Sequence, residues 1–277
     1  MYEQILYEVA EPVATITLNR PQSLNAWTPQ MDQEVQDAFR RAEEDTRVVG
    51  IILTGAGKAF CAGADLKGLE AVSEGGFSEA AIAGERPGDS KAHDGFRFHY
   101  SYIASICKPV IAAIHGACAG MALPISTFCD LRFASDKSVF LSAFSQRGLV
   151  AEWGSSWMLP RLVGMANAMD ILLSSRKIFA DEALQMGLVN RVVSPEQLTK
   201  EAEQYIVNLA ENCSPRSMAV MKRQLYDQWQ ADLEAALQQS MEQMKSSFES
   251  DDFKEGVSSF LGKRKPAFAR LSGPPRT

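Results

Sequence analysis

Histidine and cysteine are scarce in this chain: its 277 residues include three of the former and five of the latter. His93, His99 and His115 form no zinc-binding spacing with Cys61, Cys107, Cys118, Cys129 and Cys213, so no metal centre of the usual His/Cys kind is expected. The odd cysteine count, without disulfide-like spacing, points to free thiols in a reducing compartment. Long basic runs are missing as well. The net charge is -6, which argues against nucleic acid as a partner. The longest apolar stretch, around residues 109–125, is interrupted by His115, Gly116 and Pro124 and is too broken for a membrane span. The first residues read as strand, not as a basic-then-apolar leader. These absences together predict a cytoplasmic protein with neither membrane nor nucleic acid as partner. The short cationic run Lys263-Arg264-Lys265 offers an anion a local patch, but a solvated tail is the plainer reading.

What is present is an alternation of strands and helices, which predicts an α/β architecture. Residues 13–18, 48–53, 110–114, 130–134, 139–141 and 189–193 read as strands, and residues 29–45 as a helix entered at Thr28-Pro29. Residues 68–100 are rich in Gly, Pro and charge, and predict an irregular insertion with at most short helices. From about residue 200 the chain reads as helical. Leu233, Leu237, Met241, Met244 and Phe248 recur at helical steps and form an apolar stripe for its own core or for another subunit. The domain reading is therefore a core over 1–199 and a helical region over 200–277.

Two segments share one design. Residues 48–53 run into Thr54-Gly55-Ala56-Gly57 and then Ala59-Phe60-Cys61-Ala62-Gly63-Ala64-Asp65-Leu66; residues 110–114 run into His115-Gly116-Ala117-Cys118-Ala119-Gly120-Met121. A buried strand followed by small residues lets main-chain N–H groups turn toward a ligand. A helix start adds further unpaired donors. Two facing turns of this kind would hold a developing oxyanion. Taken singly, each also reads as an ordinary tight turn.

With both segments in view, the chain resembles the crotonase, or enoyl-CoA hydratase/isomerase, superfamily. Further likeness lies in Leu18-Asn19-Arg20-Pro21 with Leu24-Asn25-Ala26, in Cys129 to Ala134, in Leu159-Pro160-Arg161-Leu162-Val163-Gly164, in Gly187-Leu188-Val189 and in Glu255-Gly256-Val257. The resemblance implies a spiral of ββα units with a C-terminal helical region, assembled as a homotrimer or a dimer of trimers. It implies an acyl-CoA thioester as partner, with coenzyme A arriving as part of the substrate and no separate cofactor. The oxyanion donors would be the N–H groups of Ala64 and Met121, with Ala62, Asp65 and Leu66 flanking the thioester arm.

The chain departs from the family at two positions. The two glutamates that typical hydratases use for proton transfer correspond here to Pro124 and Phe144, and neither can move a proton. A different carboxylate, Glu152, stands in the apolar run Gly148 to Trp157, where some family isomerases carry an acid. In an apolar pocket it would have a raised pKa and could shuttle one proton between two carbons. A surface carboxylate ahead of a helix is its plainer reading. The expectation is an isomerase with Glu152 as acid/base. The alternatives are a hydratase using Glu152 alone, a non-catalytic acyl-CoA-binding protein, and thioester hydrolysis. Trp153, Trp157, Phe140 and Phe144 are candidate acyl-pocket walls, with plain core as the competing reading. Cys61 has no evident base to activate it, Asp65 reads as a turn-holding side chain, and His115 as strand-end packing.

Overall fold

The computed structural model describes residues 1–65, 68, 70, 73–75 and 86–275. Within them a six-stranded sheet has the order β1-β2-β3-β4-β6-β9. Its strands are β1 (Ile5–Ala10), β2 (Val13–Leu18), β3 (Gly50–Gly55), β4 (Val110–Ile114), β6 (Leu131–Ser135) and β9 (Arg191–Val193). Only the β1–β2 pair is antiparallel. A second, three-stranded sheet takes β5 (Ala117–Ala119), β7 (Val139–Leu141) and β8 (Ile178–Phe179) in that order.

Every residue of β3 and β4 is buried, as suits central parallel strands covered on both faces. Ile51, Leu53, Val110, Ala112 and Ile114 face the main core. Ile52, Ile111, Ala113 and Phe133 face the other way, onto Leu198, Ala202 and Ile206. Helix α1 (Pro29–Glu44) starts where the sequence predicts. The Thr28 side chain accepts from the Met31 N–H, and Pro29 occupies the first turn. Its Met31, Val35, Phe39 and Ala42 enter the core at helical spacing.

Three strand limits differ from the sequence reading, two of them because burial begins before pairing does. Val48 and Val49 are buried, but the β3 ladder opens at Gly50, opposite Val13. Leu188 and Val189 are buried ahead of β9. Asp130 stands outside β6, its carboxylate accepting from the Val110 N–H at 2.7 Å and from Lys222 at 2.7 Å.

Beyond the sheets come α2 (Ala122–Phe128), α3 (Ser155–Ser174, broken at Gly164) and α4 (Ala180–Gln185). The helical end comprises α5 (Leu198–Asn212), α6 (Pro215–Gln228), α7 (Leu233–Phe248) and α8 (Asp251–Leu261). Helix α5 lies on the large sheet, so close that a Cβ on Gly50 would come within 2.9 Å of the Ile206 side chain. The stripe Leu233, Leu237, Met241, Met244 and Phe248 is confirmed as helical and is exposed. In the cationic run, Arg264 pairs with Glu255 and Lys265 with Glu211. Among the described residues no helix is long and apolar enough to cross a membrane.

Candidate active site

The site begins with Asn25, a fully buried residue at φ 56°, a left-handed conformation that Asn tolerates better than most. Its side chain accepts from the Arg20 N–H at 2.9 Å and donates to the Ala56 and Ala59 carbonyls at 2.8 and 2.7 Å. It thereby ties the turn after β2 to the turn after β3.

The chain next runs in three adjacent segments. The Trp27 N–H donates to Gly63 O at 2.8 Å, and the Asp65 N–H to Trp27 O at 3.0 Å. On the other side, the Cys61 N–H donates to Ala117 O and the Ala119 N–H to Cys61 O, both at 3.0 Å. The second exchange is a parallel bridge between Cys61 and Cys118. Three residues beyond each cysteine stand Ala64 and Met121. Among the described residues, no backbone carbonyl accepts from the N–H of either one.

The turns are also pressed together. A Cβ on Gly63, which has φ 102°, would lie 3.0 Å from Ala119 O and 3.7 Å from the Gly120 Cα. The corner leading into β5 is as tight: a Cβ on Gly116 would sit 2.0 Å from Lys58 O. Met121 has φ -61° and caps α2 without a side-chain bond. Its N–H and that of Ala122 have no backbone acceptor among the described residues, as at a helix start, whereas the Leu123 N–H donates to Gly120 O at 3.1 Å.

Asp65 does what its turn-holding reading expects: its carboxylate meets Arg20 at 3.0 Å, and the same guanidinium donates to Ala26 O at 2.6 Å. Ala62 donates its N–H to Leu24 O at 3.0 Å. Leu66 lies outside the described residues. The Cys61 thiol is buried and pushed up to about 12 by burial. It is no nucleophile in this setting. His115 is held below the ordinary histidine range by burial, in keeping with strand-end packing.

Glu152 sits in the turn that enters α3. Its carbonyl accepts from the Ser155 N–H at 2.9 Å and from the Ser155 hydroxyl at 2.5 Å. The next two residues, Trp153 and Gly154, have φ 53° and 76°. A left-handed tryptophan is strained by about 1–3 kcal/mol and persists only where packing holds it. Here its ring lies 5.0 Å from that of Tyr100 and 5.3 Å from that of His99. The Tyr100 ring in turn meets Trp27 at 5.8 Å, and Trp27 is bridged to Ala64. A continuous series of contacts thus joins the turn of Ala64 to the loop of Glu152. The Glu152 side chain is half-buried; burial raises its pKa, while a hydrogen bond from Trp153 opposes the rise. Pro124 and Phe144 are both buried.

The chain matches the model of the family described as enoyl-CoA hydratase/isomerase over residues 8–270. The chain belongs to the enoyl-CoA hydratase/isomerase family. A 1,2-epoxyphenylacetyl-CoA isomerase of Escherichia coli (strain K12) is 31% identical over 97% of this chain and 99% of that protein. A protein of Rhodobacter capsulatus named "probable enoyl-CoA hydratase" is 35% identical over 96% of this chain and 98% of its own. Among solved structures, an enoyl-CoA hydratase from Bacillus anthracis superposes with a TM-score of 0.83 at 28% identity, covering 96% of this chain and 99% of that one. One from Polaromonas sp. JS666 gives 0.85 at 28% identity, with 95% and 99% covered. The crotonase-type α/β fold expected from the sequence is therefore the fold of this family enzyme.

This enoyl-CoA hydratase/isomerase family member also contains groups that the sequence reading did not single out. His99 Nε2 is 3.5 Å from Asp32 Oδ1, and both side chains are 9% exposed. Asp32 also accepts from Trp27 Nε1 at 3.3 Å and from the Gln36 amide at 2.5 Å. Arg86 Nη2 lies 2.9 Å from His99 Nδ1. Burial pushes Asp32 up to about 6. Burial, with Arg86 beside it, pushes His99 down to about 4. No spacing links residues 27, 32, 86 and 99 in sequence; only the fold assembles them.

Beside His99 lies a cavity of about 280 Å³. Trp153 and Trp157, two of the aromatic residues proposed from the sequence as acyl-pocket walls, line it. Phe140 and Phe144 are absent from its described walls and lie buried elsewhere. The β7 strand turns Phe140 into the main core. The plain-core reading therefore holds for Phe140.

Proposed function

We propose that this protein moves a carbon–carbon double bond in an acyl-CoA thioester, with Glu152 as the shuttling acid/base and the N–H groups of Ala64 and Met121 as the oxyanion donors. The observation that carries the reading is the Cys61–Cys118 bridge. It holds two main-chain donors with no acceptor among the described residues, three residues on from each cysteine, on adjoining turns. A thioester oxygen received between them gains stabilisation as negative charge develops on it. The ionised Glu152 removes the proton on C2 of a 3-enoyl thioester. The C–H electron pair moves into a dienolate whose charge rests on the thioester oxygen. The protonated Glu152 then returns the proton to C4, and the double bond ends between C2 and C3. Nothing is gained or lost overall.

The buried Pro124 and Phe144 favour isomerisation, because they leave no second carboxylate at the two positions where hydration would use one. The 31% identical relative named an isomerase agrees with this reading. Hydration with Glu152 alone is the second reading, favoured by the 35% identical relative that carries a hydratase name. In either case coenzyme A comes with the substrate, and no further cofactor takes part. Ala62, Asp65 and Leu66 flank the thioester arm. The exposed stripe of α7 supports assembly through residues 200–277 into a trimer or a pair of trimers.

The test is mass spectrometry in deuterated buffer on 2-enoyl- and 3-enoyl-CoA thioesters, with native protein and Glu152→Gln. Deuterium uptake with a shifted double bond, lost in the variant, supports isomerisation. A Glu152-dependent gain of water establishes the hydratase instead. Full turnover by Glu152→Gln would sink both.

A further inference from the structure

We infer that the cavity beside Trp153 is built for an acyl group that ends in an aromatic ring, not for a linear alkyl chain. The inference rests on the reading of Ala64 and Met121 as the thioester site. Phe96, Phe98, Phe128, Trp153 and Trp157 supply five rings to its wall. No Leu, Ile, Val or Met is among its described lining residues. The remaining described wall is glycine backbone and the side chains of His99, Ser101 and Gln230.

Size and placement agree. A dry apolar cavity of about 150 Å³ is enough to hold benzene. At about 280 Å³ this one accepts a ring with a substituent or part of a linker. It begins at Trp153, the neighbour of Glu152. It reaches Phe128 at the far end of α2, the helix that Met121 caps. Seven helical residues span about 10 Å, so a ring seated there is a short linker away from the thioester. Gly154 also packs closely against the Phe128 ring, 3.1 Å from which a Cβ at this position would lie.

The walls are held in place by contacts among themselves and with neighbours outside the cavity. The Arg161 guanidinium lies 3.9 Å from the centre of the Trp157 ring. Phe96 and Trp229 meet the same ring edge-on at 5.8 and 5.4 Å. Trp153 is fixed by His99 and Tyr100. Such preorganised rings favour a guest whose own ring can pack face-to-edge. They gain less from a mobile alkyl chain, which loses rotational freedom on entering.

The test compares saturated thioesters, which have no double bond to move, so binding is read without turnover. Dissociation constants of 4-phenylbutanoyl-CoA and decanoyl-CoA, matched in acyl carbon number, are measured by calorimetry beside acetyl-CoA and free coenzyme A. The aryl thioester should bind about tenfold more tightly than decanoyl-CoA. Trp157→Leu and Phe128→Leu should reduce the preference to within about twofold, while Trp157→Phe, which keeps a ring, retains most of it. Near-UV circular dichroism shows that each variant is folded. Equal binding of the two thioesters by the native protein overturns the inference, as does a preference that survives both leucine variants. If the thioesters bind no better than free coenzyme A, the thioester-site reading fails and takes this inference with it. If they bind without an aryl preference, only this inference fails.

Discussion

His99 Nε2 and Asp32 Oδ1 stand 3.5 Å apart with their side chains almost wholly enclosed, and burial displaces the two groups in opposite directions. Asp32 is raised from 3.8 to about 6, so folding is favoured by its neutral form. That contribution is complete below pH 3.8 and is lost as the pH rises through about 6. His99 is lowered from 6.5 to about 4. Its contribution is present above pH 6.5 and is lost as the pH falls through about 4. Between pH 4 and 6.5 the two nearly cancel. Asp32→Asn leaves the histidine uncompensated, so its stability should fall more steeply on acidification across that window than that of the native protein. His99→Gln should gain relative to native as the pH drops from 6 to 4. Urea melts at half-unit pH steps read both slopes; parallel curves for all three proteins would refute the assignment.

The donor at Met121 is testable without altering the turn. Its φ of -61° is close to that of proline, and its N–H has no partner among the described residues. Met121→Pro therefore deletes one donor and little else of the backbone. The expected outcome is a loss of about 100- to 1,000-fold in kcat. Met121→Ala keeps the N–H and should stay within about tenfold of native. Stopped-flow or coupled assays on a 3-enoyl-CoA separate these outcomes, and similar rates for the two variants would rule out the donor role.

Gly63 answers for the approach of the two turns. At φ 102°, with a new Cβ 3.0 Å from Ala119 O, Gly63→Ala strains the backbone by about 1–3 kcal/mol. A lowered melting temperature together with reduced turnover is expected. Native values of both would show that the turns have slack.

A base whose pKa is raised loses its charge early on acidification. Burial raises Glu152 above 4.5, so the acid limb of kcat/KM should fall at a higher pH than an ordinary glutamate gives. Glu152→Gln should reduce kcat by about 100-fold or more and remove that limb. A pH–rate profile on both proteins decides it.

The stripe on α7 is exposed, so a charge there has little to disturb within one chain. Met241→Glu and Leu237→Glu should leave the fold intact and shift sedimentation toward the 30.4 kDa of a single chain. Unchanged sedimentation would assign the stripe another use.

The sequence was most readable where a signal was local and chemically single-minded. Strands Val13–Leu18, Val110–Ile114 and Val139–Leu141 and the helix at Pro29 stand where the pattern places them. The two small-residue turns were likewise visible, because only small residues allow a backbone to come so near another. Strand limits at residues 48 and 189 were misread because apolar character records burial, whereas a strand is bounded by its partners. The Asp32–His99 pair, Trp27 and Tyr100 carried no signal at all. Their proximity is made by a helix, an irregular segment and a loop that meet only in the folded chain. Phe140 was ambiguous for a related reason, since a strand aromatic can face either way and neighbouring sequence does not reveal which side holds a cavity.

That both donors proposed for the oxygen belong to the main chain separates what would be permanent in this site from what would be exchangeable. No substitution other than proline can delete an amide hydrogen, so the oxygen receptor proposed at Ala64 and Met121 would be inherited with the topology. Side chains, by contrast, decide which carbon meets a proton source. On the proposed reading, such a scaffold would be retuned from one proton itinerary to another by relocating a single acid, with residues 124, 144 and 152 as three such addresses on the same frame.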